Sequence, residues 1–76
     1  VNKKEPALSD FPARLKAIRR QRGKTQRELA EYLGMKIRSY QFYEGGEREP
    51  PIDKLIAIAD YLDVSIDELV GRTGRQ

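Results

Sequence analysis

A short stretch near the middle of the chain carries side chains that could recognise a nucleic acid. On a helical wheel at about 100° per residue, Arg38 and Gln41 share one arc with Ile37 and Phe42. A guanidinium can donate two hydrogen bonds to guanine, a carboxamide can bond adenine, and apolar groups can contact the methyl group of thymine. If this outer arc is exposed, it could read base edges in the major groove. The alternative is an ordinary solvated helix face with two stray hydrophobic residues.

The opposite arc of the same wheel carries Tyr40, Tyr43 and Glu44, with Ser39 at the edge. Two tyrosines three residues apart supply apolar area that a small domain needs in its core. We therefore expect this arc to face inward rather than to form a stacking platform. A carboxylate buried there without a partner would cost several kcal/mol, so Glu44 needs an ion-pair partner unless it lies at the surface.

Two predicted helices and a tight turn position these side chains. Thr25 is a good N-cap residue, and Glu28 lies three residues later, so the two can form a capping box. The helix that follows spans about residues 26–33 and stops at Gly34, which tolerates the positive φ of a helix C-terminus. The outer arc belongs to the next helix, at about residues 37–45. This spacing is typical of a helix-turn-helix, in which the second helix enters the DNA major groove.

Three further helices complete the pattern. The first is capped by Ser9 or Asp10 and ends near residue 22. The fourth spans about residues 52–62, with apolar positions at Ile52, Leu55, Ile56, Ala59 and Leu62. Residues 65–68 form a second capping box, which begins a short fifth helix.

The predicted fold is all-α, a compact five-helix bundle that contains the helix-turn-helix. No segment shows strand alternation long enough to count. The bundle occupies residues 9–71. We expect residues 1–8 to form a flexible basic arm and residues 72–76 to be a flexible tail or the start of a missing segment. A single domain of this size must fill its core from every helix.

The amino-acid composition limits which kinds of catalytic and metal-binding site the chain can form. The 76 residues contain no Cys and no His, which excludes disulfides, thiol or imidazole catalysis, and metal ligation through those groups. We expect no cofactor, no metal and no enzymatic activity. No apolar run approaches the roughly 20 residues that span a bilayer, and no signal peptide is evident. We therefore expect no membrane association and a cytoplasmic, nucleoid-associated location.

Charge divides the chain into two unlike halves. Residues 1–40 carry eleven Lys and Arg against four Asp and Glu, whereas residues 41–76 carry four against eight, giving +7 and −4 within the net +3. A basic and an acidic half on one small domain suggest one face for a polyanion and another for a different contact. Solvated helix faces remain the alternative interpretation.

A set of landmarks in order and at matching spacing resembles the lambdoid phage repressor/Cro superfamily of XRE-type helix-turn-helix regulators. The resemblance covers about sixty of the 76 residues. The landmarks are Arg14-Leu15-Lys16, Gly23, Thr25-Gln26, Glu28-Leu29-Ala30, Leu33-Gly34, Tyr43-Glu44, Pro50-Pro51, Leu55, Ala59, Leu62, Val64-Ser65 and Leu69.

The resemblance implies roles for individual residues. Base contacts are expected from Ile37, Arg38, Gln41 and Phe42. Phosphate contacts are expected from Thr25, Gln26, Arg27, Lys36, Ser39 and Arg48. Arg19 and Glu44 match a pair that forms a largely buried salt bridge between the first and third helices, which supplies the partner that an inward Glu44 needs.

The chain also departs from the family pattern. Lys36 occupies an N-cap position that usually holds Ser or Thr; it is a poor cap but a plausible phosphate contact. The segment after the third helix, often basic or amide-bearing in the family, contains Glu47 and Glu49, which would repel DNA if they faced it. Apolar Ile37 and Phe42 replace polar readers, which predicts readout of thymine methyl groups or DNA shape.

Two functions from different classes follow. The first is a sequence-specific DNA-binding transcriptional regulator, most simply a repressor. It would bind double-stranded DNA at a palindromic operator as a homodimer formed through the acidic C-terminal third. The second is a protein-interaction module, such as an antitoxin or a bridging coactivator of the same superfamily, favoured by exposed Ile37 and Phe42.

Overall fold

The computed structural model describes residues 10–71. Five helices follow one another: α1 (Phe11–Gln21), α2 (Gln26–Leu33), α3 (Ile37–Gly45), α4 (Ile52–Leu62) and α5 (Ile66–Val70). No strand occurs within that range, so the all-α prediction is confirmed. The expectations for the arm at residues 1–8, for Ser9 as a cap, and for residues 72–76 lie outside the described residues.

Every helix contributes to one hydrophobic core. Its buried members are Phe11, Leu15, Leu29, Ala30, Leu33, Tyr40, Tyr43, Leu55, Ile58, Ala59, Leu62 and Leu69. The two tyrosines of α3 pack edge to face, with ring centroids 6.1 Å apart and planes at 81°. This arrangement suits the aromatic quadrupoles and places the inner face of α3 firmly in the interior.

Local sequence sets most helix ends. Thr25 and Ser65 each accept a hydrogen bond from the backbone N–H three residues later, and each forms a complete capping box. Gly34 ends α2 with φ of 70°, a conformation that costs residues with a Cβ more than it costs glycine. Asp10 is the N-cap of α1, but it has helical dihedrals and its side chain makes no capping bond. The expected side-chain cap is therefore absent there.

The apolar pattern of α4 did not distinguish its inner from its outer face. Ile52 and Ile56 are 66% and 48% exposed, whereas Ile58 is fully buried. The apolar positions that mark this helix in the sequence analysis include both exposed isoleucines but not Ile58. Apolar side chains cover so wide an arc of this helix that the wheel alone does not identify which of them meet the core.

Several basic side chains of this small domain bind helix carbonyls rather than project freely. The Arg14 guanidinium donates two bonds, of 2.7 and 3.1 Å, to a carbonyl of α5. Arg22 donates to the last carbonyls of α4 and its cap at 2.7 and 3.2 Å, and Lys54 reaches the last carbonyl of α2 at 3.4 Å. Each cation thus bonds a carbonyl in the last turn or at the C-cap of another helix, where the i+4 backbone donor is missing.

Candidate nucleic-acid interface

A turn at Gly34 fixes α3 against α2. The Gly34 N–H donates to the Glu31 carbonyl at 3.1 Å, and the Met35 N–H donates to the Ala30 carbonyl at 3.0 Å. Lys36 then has extended dihedrals, and α3 begins at Ile37. With this turn α3 packs against α2, with one face of α3 against the core and the opposite face outward.

A buried ion pair braces α3 from behind. The Nε of Arg19 lies 2.6 Å from Oε2 of Glu44, and Nη2 of Arg19 lies 3.2 Å from Oε1. The exposed fractions of the two side chains are 10% and 3%. Arg19 also donates to the Lys24 carbonyl at 2.8 Å. The predicted ion pair therefore links α1 to α3, and its forked geometry fixes both angle and distance.

Two more donors complete the environment of Glu44. The Tyr40 hydroxyl donates to Oε2 at 2.5 Å, and Nε2 of Gln26 donates to Oε1 at 3.0 Å. Each carboxylate oxygen thus accepts two hydrogen bonds, which uses the capacity of an ionised carboxylate in full. We call Arg19, Gln26, Tyr40 and Glu44, with Gln41 beyond them, the Glu44 network.

The network shifts the acid–base behaviour of its members. Burial would raise the pKa of Glu44, but donation from Arg19, Tyr40 and Gln26 outweighs burial, and the pKa is lowered from its ordinary 4.5. The pKa of Arg19 is raised, chiefly by its hydrogen bond to Glu44. Burial, followed by the bond to Glu44, raises the pKa of the Tyr40 hydroxyl. The ion pair is therefore charged, and Tyr40 is neutral, throughout the neutral pH range.

The outer arc is only partly as exposed as predicted. Arg38 and Gln41 are exposed. Ile37 is half-buried and packs against the core, because its position on the wheel borders the inner arc. Phe42 is half-buried as well, and the Arg48 guanidinium lies 5.3 Å from its ring centroid. The expectation of two freely exposed hydrophobic residues was therefore wrong.

The loop after α3 folds back over the end of that helix. The Phe42 carbonyl accepts from the backbone N–H groups of Gly46, Glu47 and Arg48, the last two at 3.0 and 3.3 Å. This places Arg48 above the Phe42 ring, in the geometry of a cation–π contact. Glu47 and Glu49 are exposed, so the loop carries acidic as well as basic side chains.

The residues predicted to contact phosphate differ in how freely they project. Thr25, Arg27, Lys36 and Arg48 are exposed, whereas Gln26 and Ser39 are half-buried. Lys36 makes no side-chain cap bond, as expected for a poor cap. Lys24 lies 5.2 Å from the centroid of the Tyr61 ring, which in turn stacks on Tyr32 with centroids 4.5 Å apart. Lys16 and Arg20 are exposed on α1.

The sequence analysis did not predict the hydrogen bond between two glutamines at this site. Nε2 of Gln41 donates to Oε1 of Gln26 at 3.0 Å, which joins the outer arc of α3 to the start of α2. Nothing in the local pattern of either helix indicates this bond, since fifteen residues separate the partners. The Tyr40–Glu44 bond was accessible in principle, because residues four apart share a helix face.

Among residues 10–71, no group of three or more His, Cys, Asp or Glu side chains is placed to hold a metal ion. No helix in the same range has both the length and the apolar character required to traverse a bilayer.

Most of the bundle is similar in sequence to known proteins. A sequence model of the helix-turn-helix family HTH_3 matches residues 15–69. The cryptic phage CTXphi transcriptional repressor RstR of Vibrio cholerae serotype O1 is 46% identical over 59 residues, covering 78% of this chain and 53% of that protein. The uncharacterized HTH-type transcriptional regulator YobD of Bacillus subtilis is 40% identical over 60 residues, covering 79% and 54%.

A solved structure has the same architecture. The crystal structure of a transcriptional regulator from Listeria innocua superposes with a TM-score of 0.75 at 36% identity, covering 87% of this chain and 62% of that one. The chain spans about half the length of the curated relatives it matches.

Proposed function

The chain belongs to the XRE-type helix-turn-helix family HTH_3, and from that premise we propose that it is a sequence-specific DNA-binding repressor of transcription. One observation carries the proposal: α3 presents exposed Arg38 and Gln41 on a helix that the buried Arg19–Glu44 pair fixes from behind. A guanidinium and a carboxamide on one rigid face suit hydrogen bonding to purines in the major groove. A relative of 46% identity is named a transcriptional repressor, which supports the direction of regulation.

In the proposed complex α3 enters the major groove and the surrounding cations bind the backbone. Arg38, Gln41, Ile37 and Phe42 would meet base edges, with Ile37 contributing only its exposed part. Thr25, Gln26, Arg27, Lys36, Ser39 and Arg48 would contact phosphates. Arg48 lies above the Phe42 ring, so a phosphate contact by Arg48 would form beside a base contact by Phe42. The protein would act on the nucleoid in the cytoplasm.

We infer that the active species is a homodimer on a palindromic operator. One module contacts only a few base pairs, so useful specificity calls for two. Two-fold symmetry would place the half-sites one helical turn apart, roughly 34 Å between centres. The C-terminal third is the proposed dimer surface, and exposed Ile52 and Ile56 on α4 are its apolar candidates. Scattered exposed hydrophobic residues need no explanation, but two on adjacent turns share a face.

Two separate alanine substitutions test whether Arg38 contacts bases and Lys36 contacts the DNA backbone. Arg38→Ala should relax preference at one base position and cost about 1–3 kcal/mol of binding free energy, whereas Lys36→Ala should weaken binding to all sequences alike. Selection of bound oligonucleotides from a random pool supplies the operator, its spacing and its symmetry. Binding is then titrated on operator and random DNA. Equal losses on both DNAs for both variants would refute the assignment.

The protein-interaction alternative loses its main support in the structure. It depended on Ile37 and Phe42 as exposed hydrophobic residues, and both are half-buried. A salt titration distinguishes the two functions, because neutralised phosphates make the logarithm of the affinity fall linearly with the logarithm of salt concentration. A complex that tolerates salt would favour a protein partner.

A further inference from the structure

The acidic side chain of Glu47 lies over the C-terminal end of the candidate reading helix. A Cβ atom added at Gly45 would collide with Oε1 of Glu47 and would lie 3.2 Å from its Cδ. Gly45 is exposed and follows Arg38 by seven residues, which is about two helical turns. It therefore continues the outer arc that carries Arg38 and Gln41, and the Glu47 carboxylate covers the C-terminal end of that arc.

The acidic side chains of the loop after α3 are not neutralised by ion pairs within residues 10–71. The only salt bridge in that range joins Arg19 to Glu44, so neither Glu47 nor Glu49 forms one with Arg48, which lies between them in the sequence. The Arg48 guanidinium instead lies over the Phe42 ring. All three charged side chains of the loop are exposed. The loop thus presents two negative charges and one positive charge to its surroundings.

The backbone of this loop has few donors left for an anion. The N–H groups of Gly46, Glu47 and Arg48 all donate to the Phe42 carbonyl. Residues 50–51 are both proline and have no N–H group. A phosphate that approached this loop would therefore meet one guanidinium and two carboxylates, while these three backbone donors are already engaged.

The stability of α3 does not explain a carboxylate at this position. Unpaired carbonyl groups give the C-terminus of a helix a partial negative charge, so a cation there is favourable and an anion is not. The last turn of α3 contains no basic residue that would offset the charge of Glu47. The position of this carboxylate is therefore better explained by its effect on a molecule that approaches the outer arc.

We propose that Glu47, together with Glu49, repels the DNA backbone at the C-terminal end of α3 and so lowers the affinity for DNA of every sequence. The proposal rests on the proposed function, since it needs α3 to lie in the major groove. In a helix-turn-helix the N-terminal residues of the second helix contact base edges, which leaves its C-terminal end nearer to the phosphates. A negative charge held at that end meets a negative backbone.

The repulsion makes stable binding depend on base contacts along the rest of the helix. Non-specific binding comes almost entirely from the attraction between cations and phosphates, so on DNA of random sequence the protein has little else to set against the two carboxylates. On an operator, Arg38 and Gln41 would add hydrogen bonds to bases. Glu47 and Glu49 therefore reduce the fraction of the protein held at non-specific sites, of which a genome offers a large excess.

The test compares glutamate-to-glutamine variants, because this substitution removes the charge and keeps the shape of the side chain. Glu47→Gln and Glu49→Gln are made singly and together. Glu31→Gln is the matched control, since Glu31 is an exposed glutamate of α2. Circular dichroism establishes that each variant is folded. Binding to a random-sequence duplex, and to the operator selected from a random pool, is measured over a range of salt concentrations.

We expect Glu47→Gln to bind the random-sequence duplex about 2–5-fold more tightly than the wild type, and the double variant to bind it more tightly still. A unit charge a few ångströms from a phosphate in water has an interaction of this size, and salt screens it. The gain in affinity should therefore shrink as the salt concentration rises. Glu31→Gln should bind as the wild type does.

Two sets of results would overturn the role of Glu47. If Glu47→Gln binds the random-sequence duplex no more tightly than Glu31→Gln, or if its gain persists at high salt, the carboxylate does not repel phosphates. If Glu47→Gln instead weakens operator binding and relaxes a preference for cytosine, the carboxylate accepts a hydrogen bond from the cytosine N4 amino group and reads a base.

The same measurements test the proposed function separately. If the wild type selects no operator from the random pool, sequence-specific binding fails, and the affinities for the random-sequence duplex still decide whether Glu47 repels DNA. If an operator is selected but Glu47→Gln shows no gain on the random-sequence duplex, only the role of Glu47 fails.

Discussion

The two helices of the helix-turn-helix begin in opposite ways. α2 starts with a complete capping box, in which Thr25 accepts from the Glu28 N–H at 3.0 Å and Glu28 accepts from the Thr25 N–H at 2.8 Å. α3 starts at Lys36 without a side-chain cap, and its first turn contains no acidic residue. α2 thus caps its own N-terminus with nearby side chains, whereas the N-terminus of α3 has no side-chain cap.

α3 has no side-chain cap, and its contacts with the core and with other helices stabilise it instead. Tyr40 and Tyr43 lie in the core, and Glu44 bonds to side chains from α1 and α2. Most helical stability in proteins comes from such packing rather than from propensity. The inner face of α3 therefore stabilises the helix, and the face that we propose reads DNA carries the exposed Arg38 and Gln41.

The largest effect is expected from removal of the Glu44 carboxylate, which holds α3 in place. Glu44→Ala leaves the buried Arg19 guanidinium without its partner, and breaking a buried pair costs about 3–5 kcal/mol of unfolding free energy. Glu31→Ala, at an exposed position of α2, should stay within about 0.5 kcal/mol of the wild type. Urea unfolding followed by circular dichroism measures both. Similar losses in the two variants would mean that the ion pair does not anchor α3.

Acid should weaken the ion pair between Arg19 and Glu44. The folded-state pKa of Glu44 lies below its ordinary 4.5, so the unfolded chain takes up this proton more readily than the folded one. The stability it contributes is complete above about pH 4.5 and is lost as pH falls through the folded-state pKa. Unfolding free energy measured from pH 6 downward should fall less steeply in Glu44→Gln than in the wild type. Parallel pH profiles would exclude Glu44 as a source of the acid sensitivity.

The smallest effects are expected at the N-termini of α2 and α3. Thr25→Ala removes a working cap and should cost about 1 kcal/mol, whereas Lys36→Ala removes no capping bond and should leave stability unchanged. Denaturant midpoints at a constant m-value report both changes. If Lys36→Ala destabilised the protein as much as Thr25→Ala, the proposed contrast between the helices would be wrong.

The features that the sequence predicted well are those encoded within a few residues. The bounds of α2 to α5 follow from capping boxes, from Gly34 and from apolar spacing. That Glu44 needs a cation was predictable because its arc faces inward, whereas the resemblance to the phage repressor family identified Arg19 as that cation, 25 residues away. Each of these depends on one helix or on one strong physical requirement.

The features it missed depend on how separate elements meet. The Gln26–Gln41 bond needs α2 and α3 at a particular distance, and the cover of Phe42 by Arg48 needs the loop to fold back. On α4, the choice of Ile58 over Ile56 for the core depends on where the neighbouring helices lie. Helical periodicity contains none of this information.

The helix-capping cations change what the formal charge means for binding. Arg14, Arg22 and Lys54 bind carbonyls of other helices, and Arg19 is consumed by Glu44. A tally of lysine and arginine therefore overstates how many counterions this surface could displace from a polyanion. These four side chains join helices to one another, so a phosphate would have to compete with their internal hydrogen bonds in order to engage them.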